Sequence, residues 1–394
     1  MLFCASTFAS KVAPLNKVPV LANPDFLKQA KLPILDLKED VNVAYTELTS
    51  SEMERLSRVA HENKTCGGFQ QLNEFQFPQQ KLNAMREQNI KAQKFLQNPK
   101  KLALEKKANI EKAVSEVSET SLREFTTWFS SFPTRFNRNT NANTPVNALK
   151  DKIAALIAQS PHAWVKAKSS LRLISHRRTP QNSVNLRIEG SKTPSEIVVL
   201  GGHLDSISWG GAAPGADDNA SGSSNVFEAA KILLAQPTPP ERSIEFFWYA
   251  GEESGLLGSD EIAETYRVAG NDVVAVMQLD MTMFPGDGEG TLASMTDFTS
   301  PWLRAVIVEL NSHYVGAKIL DDKCGYGCSD HASWHSEGYP AVMPFEASFD
   351  TMNSKIHTAQ DQVDGRSNFK HSALFGKLAV SYLMELGNST LRQP

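Results

Sequence analysis

Three apolar runs in this chain end in acids or a histidine. EIVVLGGHLD closes on His203 and Asp205, SIEFFWYAGEE on Glu252 and Glu253, and DVVAVMQLD on Asp280. Between and after them lie SNVFEAAKILLAQ, GSDEIAETYRVAG, PWLRAVIVELNSHYV and HSALFGKLAVSYLMEL, with apolar residues at helical spacing. Strands alternating with helices imply an α/β fold, a mostly parallel twisted sheet with helices on both faces. In such sheets the ligand site lies outside the carboxyl ends of the strands. The acids and the histidine therefore gather at one edge. SVNLRIEG and EIVVLGGHLD read as neighbouring strands joined by SKTPS.

The loop GGHLDSISWGGAAPGADDNASG adds Asp217 and Asp218, and the late segment SKIHTAQD adds His357. Each has an ordinary explanation alone; the Asp217–Asp218 pair, for instance, can cap the helix that starts near Ser221. Together they need another, because several carboxylates converging at one sheet edge repel unless cations neutralise them. Imidazole with carboxylate suits Zn²⁺ ahead of Mn²⁺ or Co²⁺. Two histidines and three acids suffice for two metals about 3.5–4 Å apart that share one carboxylate. One glutamate of the Glu252–Glu253 pair is then a ligand, and its neighbour is free as a general base.

At 394 residues the chain is long enough for two domains. Its composition, 41% hydrophobic and 21% charged, is that of a soluble globular protein. The net charge of -4 is spread along the chain, with no basic block for nucleic acid. No run approaches the roughly 18 apolar residues of a membrane span. Composition shifts near residue 100, after a Gln-, Asn- and Lys-rich stretch from Lys64 to Lys107 that reads as helical or extended and carries no visible chemistry. We divide the chain into an N-terminal region, 1–104, and a catalytic domain, 105–394. The opening MLFCASTFAS resembles a signal-peptide remnant but lacks the basic start. Cys4 and Cys66 stand alone, whereas Cys324 and Cys328 in CGYGC suit a disulfide loop, a metal or two thiols. A structural zinc needs two more soft ligands and no second cysteine pair exists, which favours a disulfide and an oxidising compartment.

In order, GGHLDS, APGADDNASG, YAGEESGLLGS, QLDMT, CGYGCSDHASWH and IHT resemble the secreted bacterial leucyl aminopeptidases of the Vibrio type. These are two-zinc exopeptidases of the zinc aminopeptidase and carboxypeptidase superfamily, with a phosphorylase/hydrolase-like fold, and the likeness covers roughly residues 105–385. It implies two Zn²⁺, one held by His203 and Asp280 and the other by Glu253 and His357, with Asp217 bridging and Glu252 as the base. It also implies that Asp205 orients the His203 ring, that a cis peptide joins Asp217 to Asp218, that Ser329 hydrogen-bonds the bridging carboxylate and that Tyr326 donates to the developing oxyanion. Met281, Phe345, Phe349, Ile356 and the disulfide loop Cys324–Cys328 would form an apolar first-residue pocket for Leu, Met or Phe. The family pattern has a tyrosine near Met352, so the pocket rim departs from it.

The resemblance further implies a secreted monomer, exported from a bacterium, that acts on the N-termini of peptides or proteins. Its N-terminal region would be a propeptide removed by a processing protease, with Lys100–Lys101 and Lys106–Lys107 as accessible basic pairs. No nucleic-acid or membrane partner is expected. His176, His313, His331 and His335 are read as structural or exposed, and the N-A-S pattern at Asn219 is discounted because a glycan there would block the site. Three alternatives stand beside this reading. A carboxypeptidase needs a cation for the substrate carboxylate, and the motifs hold no arginine. A glutaminyl cyclase works with one zinc on a similar fold, and CGYGC and Ile356 argue against it. A receptor-like domain without metals is disfavoured because every ligand type is present.

Overall fold

The computed structural model describes residues 17–39, 42–63, 68–72, 78–97, 102, 104–208 and 210–394. The stretch MLFCASTFAS, Cys4, Cys66 and the pair Lys100–Lys101 lie outside the described residues.

The N-terminal part is an antiparallel sheet. β1 (Val18–Ala22), β2 (Asp36–Lys38), β3 (Val43–Leu48) and β4 (Phe69–Gln71) pair in the order β2-β3-β1-β4. Three helices accompany it: α1 (Pro24–Gln29), α2 (Ser50–Glu62) and α3 (Pro78–Gln97). α1 begins where Asn23 caps it by accepting from the Asp25 N–H at 2.8 Å, with Pro24 in the first turn.

The helical pattern IEKAVSEVSETSLREFTTWFSSF divides into α4 (Ala108–Ser115) and α5 (Glu119–Ser130). The second is restarted by Ser118, whose hydroxyl accepts from the Ser121 N–H at 3.2 Å. α6 (Asn143–Gln159) and α7 (Ala163–Lys168) lead into the main sheet. Its strands are β5 (Ser169–Ile174), β6 (Ser183–Ile188), β7 (Thr193–His203), β8 (Arg242–Tyr249) and β9 (Asp272–Gln278). A smaller sheet holds β10 (Thr291–Met295) and β11 (Lys318–Asp322). The short β12 (Ala341–Val342) returns to the main sheet and β13 (Pro344–Phe345) to the smaller one.

The main sheet runs β12-β9-β7-β8-β6-β5, parallel from β12 through β8 and antiparallel at β6 and β5. β6 and β7 are therefore not neighbours, contrary to the sequence expectation; β8 lies between them. The connecting turn crosses the start of β8: a Cβ on Gly190 would lie 2.5 Å from the Glu241 carbonyl oxygen, and the Thr193 N–H bonds that same carbonyl. Alternate strand residues point to opposite faces, and both faces are buried. Val198, Leu200, Phe246 and Trp248 pack beneath α8 (Gly222–Leu234) and α12 (Phe369–Gly387). Val199, Phe247, Tyr249 and Val276 face Ile262 and Tyr266 of α9 (Leu257–Val268) and Trp334 of α11 (His331–Ser336). α10 (Pro301–Tyr314) joins the first of these layers.

The N-terminal part is fastened to this domain by buried polar groups. Lys81 of α3 is 4% exposed and makes an ion pair with Asp260 of α9, with Glu337 at 3.5 Å. Asp260 also accepts from Gln70 at 2.8 Å and from Arg178 at 2.9 Å. Burial would raise the Asp260 pKa, but Lys81 and Arg178 override it and hold the carboxyl below its ordinary value. Its contribution to stability is thus present at neutral pH and is lost as pH falls through the lowered folded value. Lys81→Met should cost about 2 kcal/mol, less than an unpaired buried charge, because Arg178 and Gln70 still serve Asp260. Urea unfolding at pH 7 measures this; a change under ~0.5 kcal/mol contradicts a stabilising clamp.

Candidate metal centre

The carboxyl ends of β7, β8 and β9 deliver the chemistry. β7 ends on His203, β8 is followed by the turn Glu252–Ser254, and Asp280 lies two residues past β9. Gly251 (φ 70°) and Gly255 (φ 100°) bound the glutamate turn in the left-handed region, which favours glycine. The distorted turn Ala216–Ser221, just before α8, carries Asp217 and Asp218. His357 and Met281 adopt φ of 56° and 55°, uncommon for non-glycine residues and typical of side chains held in place by a functional site.

Two groups of three ligand-type atoms converge, His203–Asp218–Asp280 and Asp218–Glu253–His357. His203 Nε2 lies 3.1 Å from Asp218 Oδ1 and 3.3 Å from Asp280 Oδ1. His357 Nε2 lies 3.1 Å from Asp218 Oδ2 and 3.0 Å from Glu253 Oε2. Ligand atoms about 2.0–2.1 Å from a tetrahedral ion stand about 3.3 Å apart, so the spacing fits zinc. His203 Nε2 and Asp280 Oδ1, 3.3 Å apart in this cluster, are buried without a hydrogen-bond partner. Burial alone would lower both histidine pKa values. Asp280 and Glu252 instead hold His203 well above its ordinary value, and Glu253 and Asp218 lift His357 to about 10. Cationic imidazoles are here the local answer to an excess of buried carboxylate, the role a metal ion fills on neutral imidazoles. Glu253 is pushed up to about 7, chiefly by burial.

The carboxylate between the two histidines is that of Asp218, not Asp217. Asp217 Oδ1 accepts from the Met283 N–H at 3.1 Å and from Ser221 Oγ at 3.1 Å, and its Oδ2 from Asn353 at 3.0 Å. Its oxygens are thus engaged by donors behind the centre. The cis peptide is likewise one bond later, Asp218–Asn219. Asn219 is fully buried and donates to the Leu279 carbonyl at 2.9 Å, so its sequon is inaccessible.

The neighbouring residues surround this centre. Asp205 approaches His203 Nδ1 through its carbonyl at 3.2 Å, with a carboxylate oxygen at 3.5 Å. That carboxylate also accepts the N–H groups of Glu252 at 3.1 Å and Glu253 at 3.3 Å, tying the glutamate turn to β7. Ser329 donates at 2.6 Å to Asp280 and not to the bridging carboxylate. Cys324 and Cys328 are disulfide-bonded. Met281, Phe345, Ile356 and Tyr326 are buried, and Phe349 stacks on Phe345 at 5.0 Å between centroids. They form one apolar cluster with the disulfide, Met352 and the N-terminal residues Val20, Phe26, Leu27 and Met53. The Tyr326 ring meets Phe26 edge-on at 5.6 Å. His331 and His335 join neither ligand group; burial lowers them to about 3 and about 4, so they are neutral. His176 contacts Ser183 at 2.7 Å, and His313 lies half-buried beside Glu309 at 3.7 Å.

Sequence reasoning missed the groups behind the centre. Asp361, buried, accepts from the backbone N–H groups of Asp217 and Asp218, both at 3.0 Å, and so fixes the turn that aims Asp218. Its position four residues after His357 in IHTAQD is the one available signal. Burial raises its pKa to about 8. Arg135 is fully buried and donates to the carbonyls of Leu204 (2.9 Å), Phe129 (3.1 Å), Gly215 (2.9 Å) and Pro214. Nothing in FPTRFNRN marks it out.

Residues 183–379 match the family described as Peptidase family M28. Leucine aminopeptidase 1 of Ajellomyces capsulatus is 32% identical over 329 residues, 79% of this chain and 82% of its own. The crystal structure of the LapA aminopeptidase of Legionella pneumophila superposes with a TM-score of 0.80 at 28% identity, covering 95% of this chain and 99% of its own. A glutaminyl cyclase of Porphyromonas gingivalis shares the fold alone, with a TM-score of 0.55 at 18% identity over 69% of this chain and 99% of its own. The likeness extends to fungal proteins, so it supports the family and not the bacterial subgroup expected from the motifs.

Asp218→Asn should lose most bound divalent metal after dialysis, whereas Asp217→Asn should retain it. Atomic emission on the folded variants reads the difference, and equal retention would return the bridging role to Asp217.

Proposed function

The chain belongs to peptidase family M28, and from that premise we propose that it is a two-zinc aminopeptidase releasing large apolar first residues from peptides. The observation that carries this reading is the pair of ligand groups sharing Asp218, with Glu252 beside them. His203 and Asp280 would hold one zinc and Glu253 and His357 the other. Bound zinc would supply a water of lowered pKa and polarise the scissile carbonyl.

Glu252 follows Gly251 in the same turn, is 2% exposed, and has Oε2 buried without a hydrogen-bond partner. Burial raises its pKa well above the ordinary carboxyl value; His203 opposes this, while Glu253 and Asp280 add to it. A carboxyl so poised can take a proton from the attacking water and hand it to the departing nitrogen. A free amino terminus would be drawn to the surrounding acids, which limits cleavage to the first residue. The apolar side chains of Met281, Phe345 and Ile356 favour Leu, Met or Phe in that position, and Tyr326 would donate to the developing oxyanion. The disulfide suits a secreted protein, and we extend the reading to an exported monomer.

The N-terminal region is proposed to cover the first-residue pocket until a processing protease cuts near Lys100 to Lys107. The shared cluster of Phe26, Leu27 and Met53 with Met281 and Phe345 supports this. Lys107 pairs with Glu385 at 2.8 Å and fastens the chain on the catalytic side of such a cut.

Glu252→Ala should keep its metal content and lose about 10²–10⁴-fold in turnover of a leucyl substrate; co-loss of metal would make Glu252 a ligand. Substrates with an acetylated amino terminus should resist hydrolysis, and equal turnover would exclude an aminopeptidase. Nicking near Lys100 to Lys107 should raise activity severalfold, with inhibition when the freed segment is added back. Identical rates for intact and nicked protein would make the region a permanent accessory domain.

A further inference from the structure

A cavity of about 510 Å³ is bounded on one side by Arg138, Asn139, Ser208, Glu253 and Ser254 and on the other by the N-terminal region, with Met53 and Phe69 among its lining. None of Met281, Phe345 or Ile356 lines it. A side chain seated in the apolar cluster would leave the rest of its peptide to emerge elsewhere, and this space reaches the turn that carries Glu253.

The wall carrying Arg138 is rigid for a physical reason. Its neighbours Arg135 and Asn137 are buried, the first held by four carbonyls, the second bonded to Thr179 at 3.2 Å and to Ser254 at 2.9 Å. Ser254 belongs to the glutamate turn itself, so the loop and the turn move as one piece. Arg138 alternates outward into the cavity, exposed and without an ion pair among the described residues. α2 adds one charge of each sign, Glu54 and Arg58, on the facing side. Removing the N-terminal region would therefore leave Arg138 as the fixed cation.

We infer that this cavity seats the residues after the scissile bond and that Arg138 receives the terminal carboxylate of a di- or tripeptide. The inference rests on the aminopeptidase reading and gives it a substrate class, short peptides with a free carboxyl end. A guanidinium on a rigid loop suits a carboxylate because its fork pairs with both oxygens.

The test compares Leu-Gly-Gly with its C-terminal amide on the zinc-loaded full chain, intact and nicked near Lys100 to Lys107. The free acid should be favoured about fivefold in kcat/KM, mostly through KM. Arg138→Ala should bring the ratio to about one, and Arg138→Lys should keep part of it. The ratio within each variant cancels differences in folding or metal content. A wild-type ratio of one, or a preference that survives Arg138→Ala, overturns the inference and leaves the aminopeptidase reading intact. Failure to hydrolyse either peptide overturns both. So does cleavage of the acetylated free acid with the same arginine dependence, which would describe a carboxypeptidase.

Discussion

Repulsion among buried carboxylates is the constraint on which the arrangement depends. Asp218, Asp280, Glu252 and Glu253 are almost fully removed from water, with His203 and His357 as the potential cations among them. Such a group is costly wherever a lone pair has neither a cation nor a donor. The surrounding fold gives Asp280 a donor and fixes the backbone that aims the other acids. Ser329 serves Asp280, and the Asp217 and Asp218 N–H groups anchor on Asp361. Asp205, the acid just behind, binds the turn bearing both glutamates. Arg135 adds a buried positive charge whose pKa burial lowers to about 10, while Asp361 and Asp205 oppose the fall.

Much of this was legible in the residues. Apolar runs ending in acids located the sheet and its working edge, because strand hydrophobicity and site chemistry are both local in sequence. The choice between Asp217 and Asp218 was not legible. Adjacent identical side chains differ only in what lies opposite, and the donors that engage Asp217 come from Met283 and Asn353, 66 and 136 residues away. The order of β6 and β7 failed for a related reason: a short turn suggests a hairpin, but Gly190 carries the chain across the start of β8. Arg135 gave no signal, since its bonds run only to backbone carbonyls, which every sequence has.

The N-terminal region reads as featureless because its value lies in contacts it cannot make alone. Phe26, Leu27 and Met53 find their partners among Met281, Phe345 and Ile356. Gln70 and Lys81 find theirs in Asp260.

One bond between the two parts reaches further than its size. The Gln71 N–H of β4 donates to the Gly255 carbonyl at 3.1 Å, and the Phe69 ring lies against Gly255, at the end of the turn that bears Glu252 and Glu253. The N-terminal sheet and the glutamate turn therefore form a linked pair in the thermodynamic sense. Whatever factor a ligand at the turn gains or loses when β4 is docked, the docking of β4 gains or loses by the same factor when that ligand binds.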